Sequence, residues 1–279
     1  LLKKQNLKGS DIRGIGFHGQ TIYHKPEDGI TVQAGDAKML AKATDIDVIY
    51  DFRTHDVECG GQGAPLVPIF HKLLMKDQNF PVAVINIGGV ANITYIDHED
   101  LIAFDTGPGI ALIDDAMGKF FQKPFDDQGK VAASGNVDYA TIKEVLAHEY
   151  FSAPYPKSLD RNQFKFLEEK LANHKPEDIV STLTYVSAAT IGKALMSVPQ
   201  MPKKIFLCGG GSKNKQIIIF LDAILQKNNH KVTIENISKI NGLNPDYIES
   251  QAFAYLAARF LHKLPSTFPS TTNVEKPAV

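Results

Sequence analysis

Residues 82–109 read VAVINIGGVANITYIDHEDLIAFDTGPG, and this stretch decides the fold. Val82-Ala83-Val84-Ile85 is a continuous apolar run rich in β-branched residues, which predicts a buried strand. Gly88-Gly89 predicts a turn, after which Ala91 to Ile96 returns as a second strand and Leu101 to Phe104 makes a third. Three strands within about 25 residues form a meander. Downstream the period changes to helical: helices are expected over Ile110–Phe121, 138–149, 163–172 and 177–198. A strand over Ile205–Cys208 ends in Gly209-Gly210-Gly211, a helix follows over 213–227, and Val232–Glu235 is a short strand. The helix Asp246–His262 carries an apolar stripe of Ile248, Phe253, Leu256, Ala257 and Phe260. Upstream, strands are expected over Ile12–Phe17, Thr21–Tyr23 and Asp47–Tyr50. A helix is expected over Asp36–Thr44 with Asp36 as its N-cap, and another over Val67–Met75. This alternation is α/β. The domain boundary is expected near residue 80, giving units 1–80 and 81–264 and a loose Pro/Ser/Thr-rich tail over 265–279.

The 279 residues carry 30 basic and 31 acidic side chains, a net charge of −1. That balance disfavours nucleic acid as partner, because a phosphate backbone selects a basic face. Two cysteines, Cys59 and Cys208, make neither a disulfide framework nor a paired metal site, which points to a reducing, cytoplasmic setting. The nine histidines lack ligand spacing, so no metal-binding residues are proposed. No uninterrupted apolar run reaches about 18 residues, so a membrane span is not expected.

Several motifs bear on chemistry. Gly14-Ile15-Gly16-Phe17-His18-Gly19 matches G-x-G-x-x-G, but the β-prone Thr21-Ile22-Tyr23 and then Pro26 follow where a dinucleotide fingerprint needs a helix. The match is therefore a decoy. Gly60-Gly61-Gln62-Gly63-Ala64-Pro65 is either a plain surface turn or a ligand loop. Asp51, Arg53, Asp56 and Gln62 around it suit a polyhydroxylated ligand. Asn86 to Asn92 is either a structural hairpin turn or one whose glycine N–H groups meet an anion. Asp105 follows an apolar strand and precedes a helix, where α/β sheets place ligands. Gly-Pro-Gly separates it from that helix, too far for a simple cap. Cys208 reads as a small buried hydrophobe. Glu249 reads as a favourable charge in a first helical turn.

Taken together the segments resemble one family, anhydro-N-acetylmuramic acid kinase. The matching stretches are GFHGQTIYHKP (16–26), VQAGD (32–36), DFRTHDVECGGQGAPLVP (51–68), NIGGVANIT (86–94), FDTGPG (104–109), PYPKSLDRNQF (154–164), STLTYVSAATI (181–191), CGGGSKN (208–214) and ESQAFAYLAARFL (249–261). The resemblance implies the two-domain actin-like ATPase (ribonuclease H-like) fold of sugar kinases, with an inter-domain cleft. It implies ATP and Mg²⁺ acting on 1,6-anhydro-N-acetylmuramic acid in cytoplasmic peptidoglycan recycling. The anhydro ring is opened by water and O6 is phosphorylated, giving N-acetylmuramate 6-phosphate and ADP.

By resemblance, Asp105 is the catalytic base that deprotonates water, and Glu249 is a second carboxylate near the reacting groups. His18, Gln20, Arg53, Asp56 and Gln62 fall on the substrate side. Asn86, Gly88, Gly89, Asn92, Gly107, Gly209, Gly210, Gly211 and Asn214 fall on the phosphate and nucleotide side. The implied partners are small molecules, with a homodimer allowed. The family's G-T-S-x-D-G phosphate loop has no counterpart here, as though the first hairpin were absent, so an inactive remnant that at most binds sugar is the alternative expectation. Ile110 replaces the Asn usual after DTGPG, Asp160 stands at a usual Gly, and the chain stops short of the family's terminal strand.

Overall fold

The computed structural model describes residues 2–160, 162–240, 243–244 and 247–279. The chain forms two compact units, one of residues 1–74 with 246–279, the other of residues 75–245. This corrects the expected boundaries. The first crossing lies near residue 74 rather than 80, and the last helix and tail belong to the N-terminal unit.

The first unit begins with β1 (Ile15–Phe17), β2 (Gln20–Lys25), β3 (Ile30–Ala34), α1 (Ala37–Thr44), β4 (Val48–Tyr50), α2 (Phe52–Glu58) and α3 (Pro68–Leu74). β1 pairs with β4 in parallel, and β2 with β3 antiparallel. The expected Asp36 cap is present: its carboxylate accepts from Met39 N at 2.8 Å. β3 and α2 are additions to the sequence reading. Isolated short elements give little periodic signal.

The second unit holds a five-stranded sheet. Its strands are β5 (Val82–Ile87), β6 (Val90–Ile96), β7 (Leu101–Pro108), β8 (Lys204–Cys208) and β9 (Thr233–Asn236), in the order β7-β6-β5-β8-β9. The expected meander is β5-β6-β7, with antiparallel pairing throughout. β5 and β8 are parallel and nearly wholly buried, as strands covered on both faces must be. The intervening helices are α4 (Ala111–Phe121), α5 (Tyr139–Ala147), α6 (Phe166–Lys170), α7 (Pro176–Ser197) and α8 (Lys215–Lys227).

α7 starts with Pro176 at N1 and Glu177 and Asp178 in its first turn, all favourable at a helix N-terminus. It is long and apolar enough to cross a membrane by length and composition, yet 83% of its most apolar window is buried within the protein. Its buried Thr184 and Ser187 hydroxyls return bonds to Val180 O and Leu183 O, which lets polar residues sit in the core.

The chain then re-enters the first unit as α9 (Ile248–Leu261) and α10 (Pro269–Thr272). Phe253, Leu256 and Leu66 form the core there, while Phe260 is exposed. A Cβ on Gly16 would overlap the Phe253 carbonyl, so β1 and α9 meet backbone to backbone. The G-x-G-x-x-G pattern is thus partly explained by packing. Residues 265–279 are not a loose tail: Thr267 bridges Ala278, and Thr271, Thr272, Val274 and Ala278 are buried.

Candidate active site

In the second unit the chemistry-bearing segments converge at one end of the sheet. Asp105 lies inside β7 rather than after it, opposite Asn92 on β6. The register jumps between Ala91 and Asn92, leaving Thr106 as an extra residue. Such a bulge bends the strand and re-aims its side chains. Asp105 is half-buried, and its Oδ2 accepts from Leu159 N at 2.8 Å. The β5–β6 turn folds against the next segment, with Gly109 N and Ile110 N donating to Gly89 O and Gly88 O at 2.9 and 2.8 Å. Ser187 on α7 donates to Gly109 O at 2.6 Å and pins that contact from below.

Beside this turn is a cavity of about 390 Å³ lined by Ile110, Ile113, Phe125, Gly210, Gly211 and Lys213, among others. Small-molecule sites commonly run from about 300 to 1,000 Å³ with mainly apolar walls and a few polar groups. Gly210 and Gly211 begin the short turn between β8 and α8, so backbone replaces side chains on that wall.

In the first unit, Arg53 Nε donates to His18 Nε2 at 2.8 Å, and its Nη1 donates to Gly63 O at 2.6 Å. One guanidinium therefore ties the 16–20 loop to the 60–65 loop. The bond requires His18 Nε2 to be unprotonated. Burial, and secondly the Arg53 charge, hold His18 below its ordinary pKa. The His18 ring lies 4.5 Å from that of Phe253, and the nearby Glu249 charge opposes the depression. Glu249 is exposed in the first turn of α9. His18, Gln33, Tyr50, Asp51 and Thr54 also border a depression of about 250 Å³.

The family model for anhydro-N-acetylmuramic acid kinase matches residues 1–279. The kinase of Rhodopseudomonas palustris strain BisB18 is 46% identical over 98% of this chain and 74% of its own length. That of Bradyrhizobium diazoefficiens is 45% identical with the same coverage, and that of Zymomonas mobilis 42% identical over 99% of this chain and 74% of its own. The chain belongs to the anhydro-N-acetylmuramic acid kinase family. Membership brings the α/β sugar-kinase and actin-like architecture that the resemblance implied. Among solved structures, the ADPNP-bound activator of 2-hydroxyisocaproyl-CoA dehydratase from Clostridium difficile is 14% identical, covering 90% of this chain and 95% of that one. Its TM-score is 0.43.

Within this kinase-family chain the expected residues separate into exposed and internal ones. Asp105, Gly88, Gly89, Gly210 and Gly211 cluster at the sheet end of the second unit. His18, Arg53, Gln62 and Glu249 belong to the first. One expectation is corrected. Asp56 is only 2% exposed, and its oxygens accept from Gly63 N and from the Thr272 hydroxyl, so it holds the loop rather than facing a ligand. The Asn214 carboxamide oxygen caps α8 by accepting from Gln216 N and Ile217 N, although the residue borders the cavity. Gly107 serves packing, since a Cβ there would strike Thr190 on α7 at 2.6 Å.

Asn86 and Asn92 stand in the strands flanking the glycine turn, the former with its Oδ1 3.8 Å from Cys208 Sγ. Gly209 is left-handed at φ 77°, beneath Asn86. Gln20 is exposed and paired by backbone to Ala34. Cys208 is the buried thiol expected, pushed up to about 12 by burial. Among the described residues, no group of three or more His, Cys, Asp or Glu could hold a metal.

The sequence reading missed Tyr150, Lys157 and Leu159, which surround Asp105, and Ile113 and Phe125, which line the cavity. PYPKSLD carries no local signal of contact with a strand some fifty residues earlier.

Proposed function

We propose that this chain opens the 1,6-anhydro ring of 1,6-anhydro-N-acetylmuramic acid with water and phosphorylates O6 from ATP. The products are N-acetylmuramate 6-phosphate and ADP, and the setting is cell-wall recycling in the cytoplasm. Family membership over residues 1–279 is the observation that carries this reading. No observation favours the inactive-remnant alternative.

Asp105 takes a proton from water, whose oxygen bonds to the anomeric carbon. The C1–O6 bond breaks. O6 takes the γ-phosphoryl group, the bond between γ-phosphorus and the β–γ bridging oxygen breaks, and ADP leaves. A general base of this kind typically contributes about 10²–10⁴-fold. The inverting-glycosidase logic of one carboxylate activating water is joined here to a phosphoryl acceptor that captures the leaving oxygen.

The nucleotide occupies the cavity at Ile110, Ile113 and Phe125, its base against apolar walls and its phosphates toward the Gly88-Gly89 turn. Mg²⁺ accompanies the phosphates. It commonly binds through one or two carboxylates with substrate oxygens and water, which needs no preformed cluster. It supplies charge neutralisation on the transferring group.

Mass spectrometry of the sugar product tests the reading. A gain of one water and one phosphoryl group, equimolar with ADP, is expected. Release of ADP with an unaltered sugar would overturn it.

A further inference from the structure

Asp105 sits on β7, the edge strand of its sheet, and one segment grips that edge. Asp105 N donates to Lys157 O at 2.9 Å. The Tyr150 hydroxyl donates to Asp105 O at 2.7 Å. Leu159 N donates to Asp105 Oδ2 at 2.8 Å. Backbone donor, backbone acceptor and carboxylate of one residue are thus all held by residues 150–159. The segment is itself anchored: Lys157 Nζ donates to Tyr150 O at 2.9 Å and Ala153 O at 3.0 Å. The Tyr155 ring stacks on Phe104 at 5.3 Å with an interplanar angle of 10°, and the Lys157 ammonium lies 4.9 Å above the Tyr150 ring.

An exposed strand edge could be covered in many ways. A cover that spends an amide on a carboxylate does more, because that bond fixes the carboxylate's orientation and favours its ionised form. We propose that Tyr150 and the 157–159 segment are a positioning clamp that orients the Asp105 carboxylate and holds it ionised. The proposal rests on Asp105 being the base. Among the described residues, the titratable groups in and beside this segment include Tyr150, Tyr155, Lys157 and Asp160, with Lys193 beside Lys157. Burial and then the Asp105 charge raise Tyr150 far above its ordinary range, so its hydroxyl remains a donor. Burial, then Lys193, lowers Lys157.

The test compares Leu159→Pro, which deletes the N–H, with Leu159→Ala, which keeps it, and adds Tyr150→Phe as a milder variant. Two readouts apply: the Asp105 carboxyl titration in ¹³C-aspartate-labelled protein, and the pH profile of kcat. Leu159→Pro and Tyr150→Phe should raise the Asp105 midpoint and move the acid limb of kcat to higher pH. Loss of one such bond corresponds to about a tenfold drop in kcat. KM for ATP should hold, and Leu159→Ala, which keeps the N–H but loses side-chain packing on the core, should leave the Asp105 midpoint unmoved. If Leu159→Pro does not fold, Tyr150→Phe decides. An unmoved titration in the folded variants, even with lowered thermal stability, overturns the clamp. A wild type without turnover overturns the functional reading instead, and the titration still decides the clamp.

Discussion

The Thr272 hydroxyl donates to Asp56 Oδ1 at 2.8 Å although 216 residues separate them, so the end of the chain braces a loop near its start. Gln62 N adds a second brace by donating to Thr272 O at 2.6 Å. Asp56 in turn accepts from Gly63 N, and Gly63 O accepts from Arg53. The brace therefore reaches the guanidinium that holds His18.

Thr272→Val should expose this dependence. The variant keeps shape but leaves a buried carboxylate short of a donor, at a cost of about 2 kcal/mol. Denaturant unfolding should show that loss, and KM for the anhydrosugar should rise while KM for ATP stays put.

His71 on α3 is 3% exposed, and burial lowers it from 6.5 to about 4. Between those values the unfolded chain binds the extra proton and the folded one does not. Stability is therefore full above pH about 6.5 and is lost as pH falls toward 4, by about 3 kcal/mol in total. His71→Leu should flatten the pH dependence of the denaturation midpoint across that window. An unchanged slope would contradict the assignment.

Gly16→Ala places a methyl group on the Phe253 carbonyl and forces β1 from α9. A loss of about 2 kcal/mol is expected from overpacking of this kind. Gly118→Ala, whose Cβ meets no atom within 4 Å and whose φ is not positive, is the control without overlap.

Ile110 should act on the nucleotide side alone. Ile110→Ala removes apolar surface from the cavity wall. A loss near 1 kcal/mol corresponds to about a fivefold rise in KM for ATP, with KM for the sugar unmoved. A rise confined to the sugar would misplace the nucleotide.

What the sequence made legible was periodic or punctuated. The β5-β6-β7 meander, α7, and the glycine turns at 88–89 and 209–211 all carry local signals that survive into the structure. The tail over 265–279 read as loose because Pro, Ser and Thr resemble linker chemistry. Its order comes from the Thr267–Ala278 bridge and the bond to Asp56, and contacts of that range leave no local trace. The same holds for Tyr150 and Leu159 around Asp105. Asp56 misled because an acidic residue beside a Gly-rich loop suits a sugar site and a buried brace equally well. Only its burial separates the two.

Asp105→Asn tests the account most directly, with turnover and binding measured on the same preparation. The substitution keeps size and can still accept from Leu159 N, but it removes the base. Binding of sugar and ATP by calorimetry should persist while kcat falls by about 10² to 10⁴-fold. Wild-type turnover in Asp105→Asn would contradict the claim that this carboxylate activates the water.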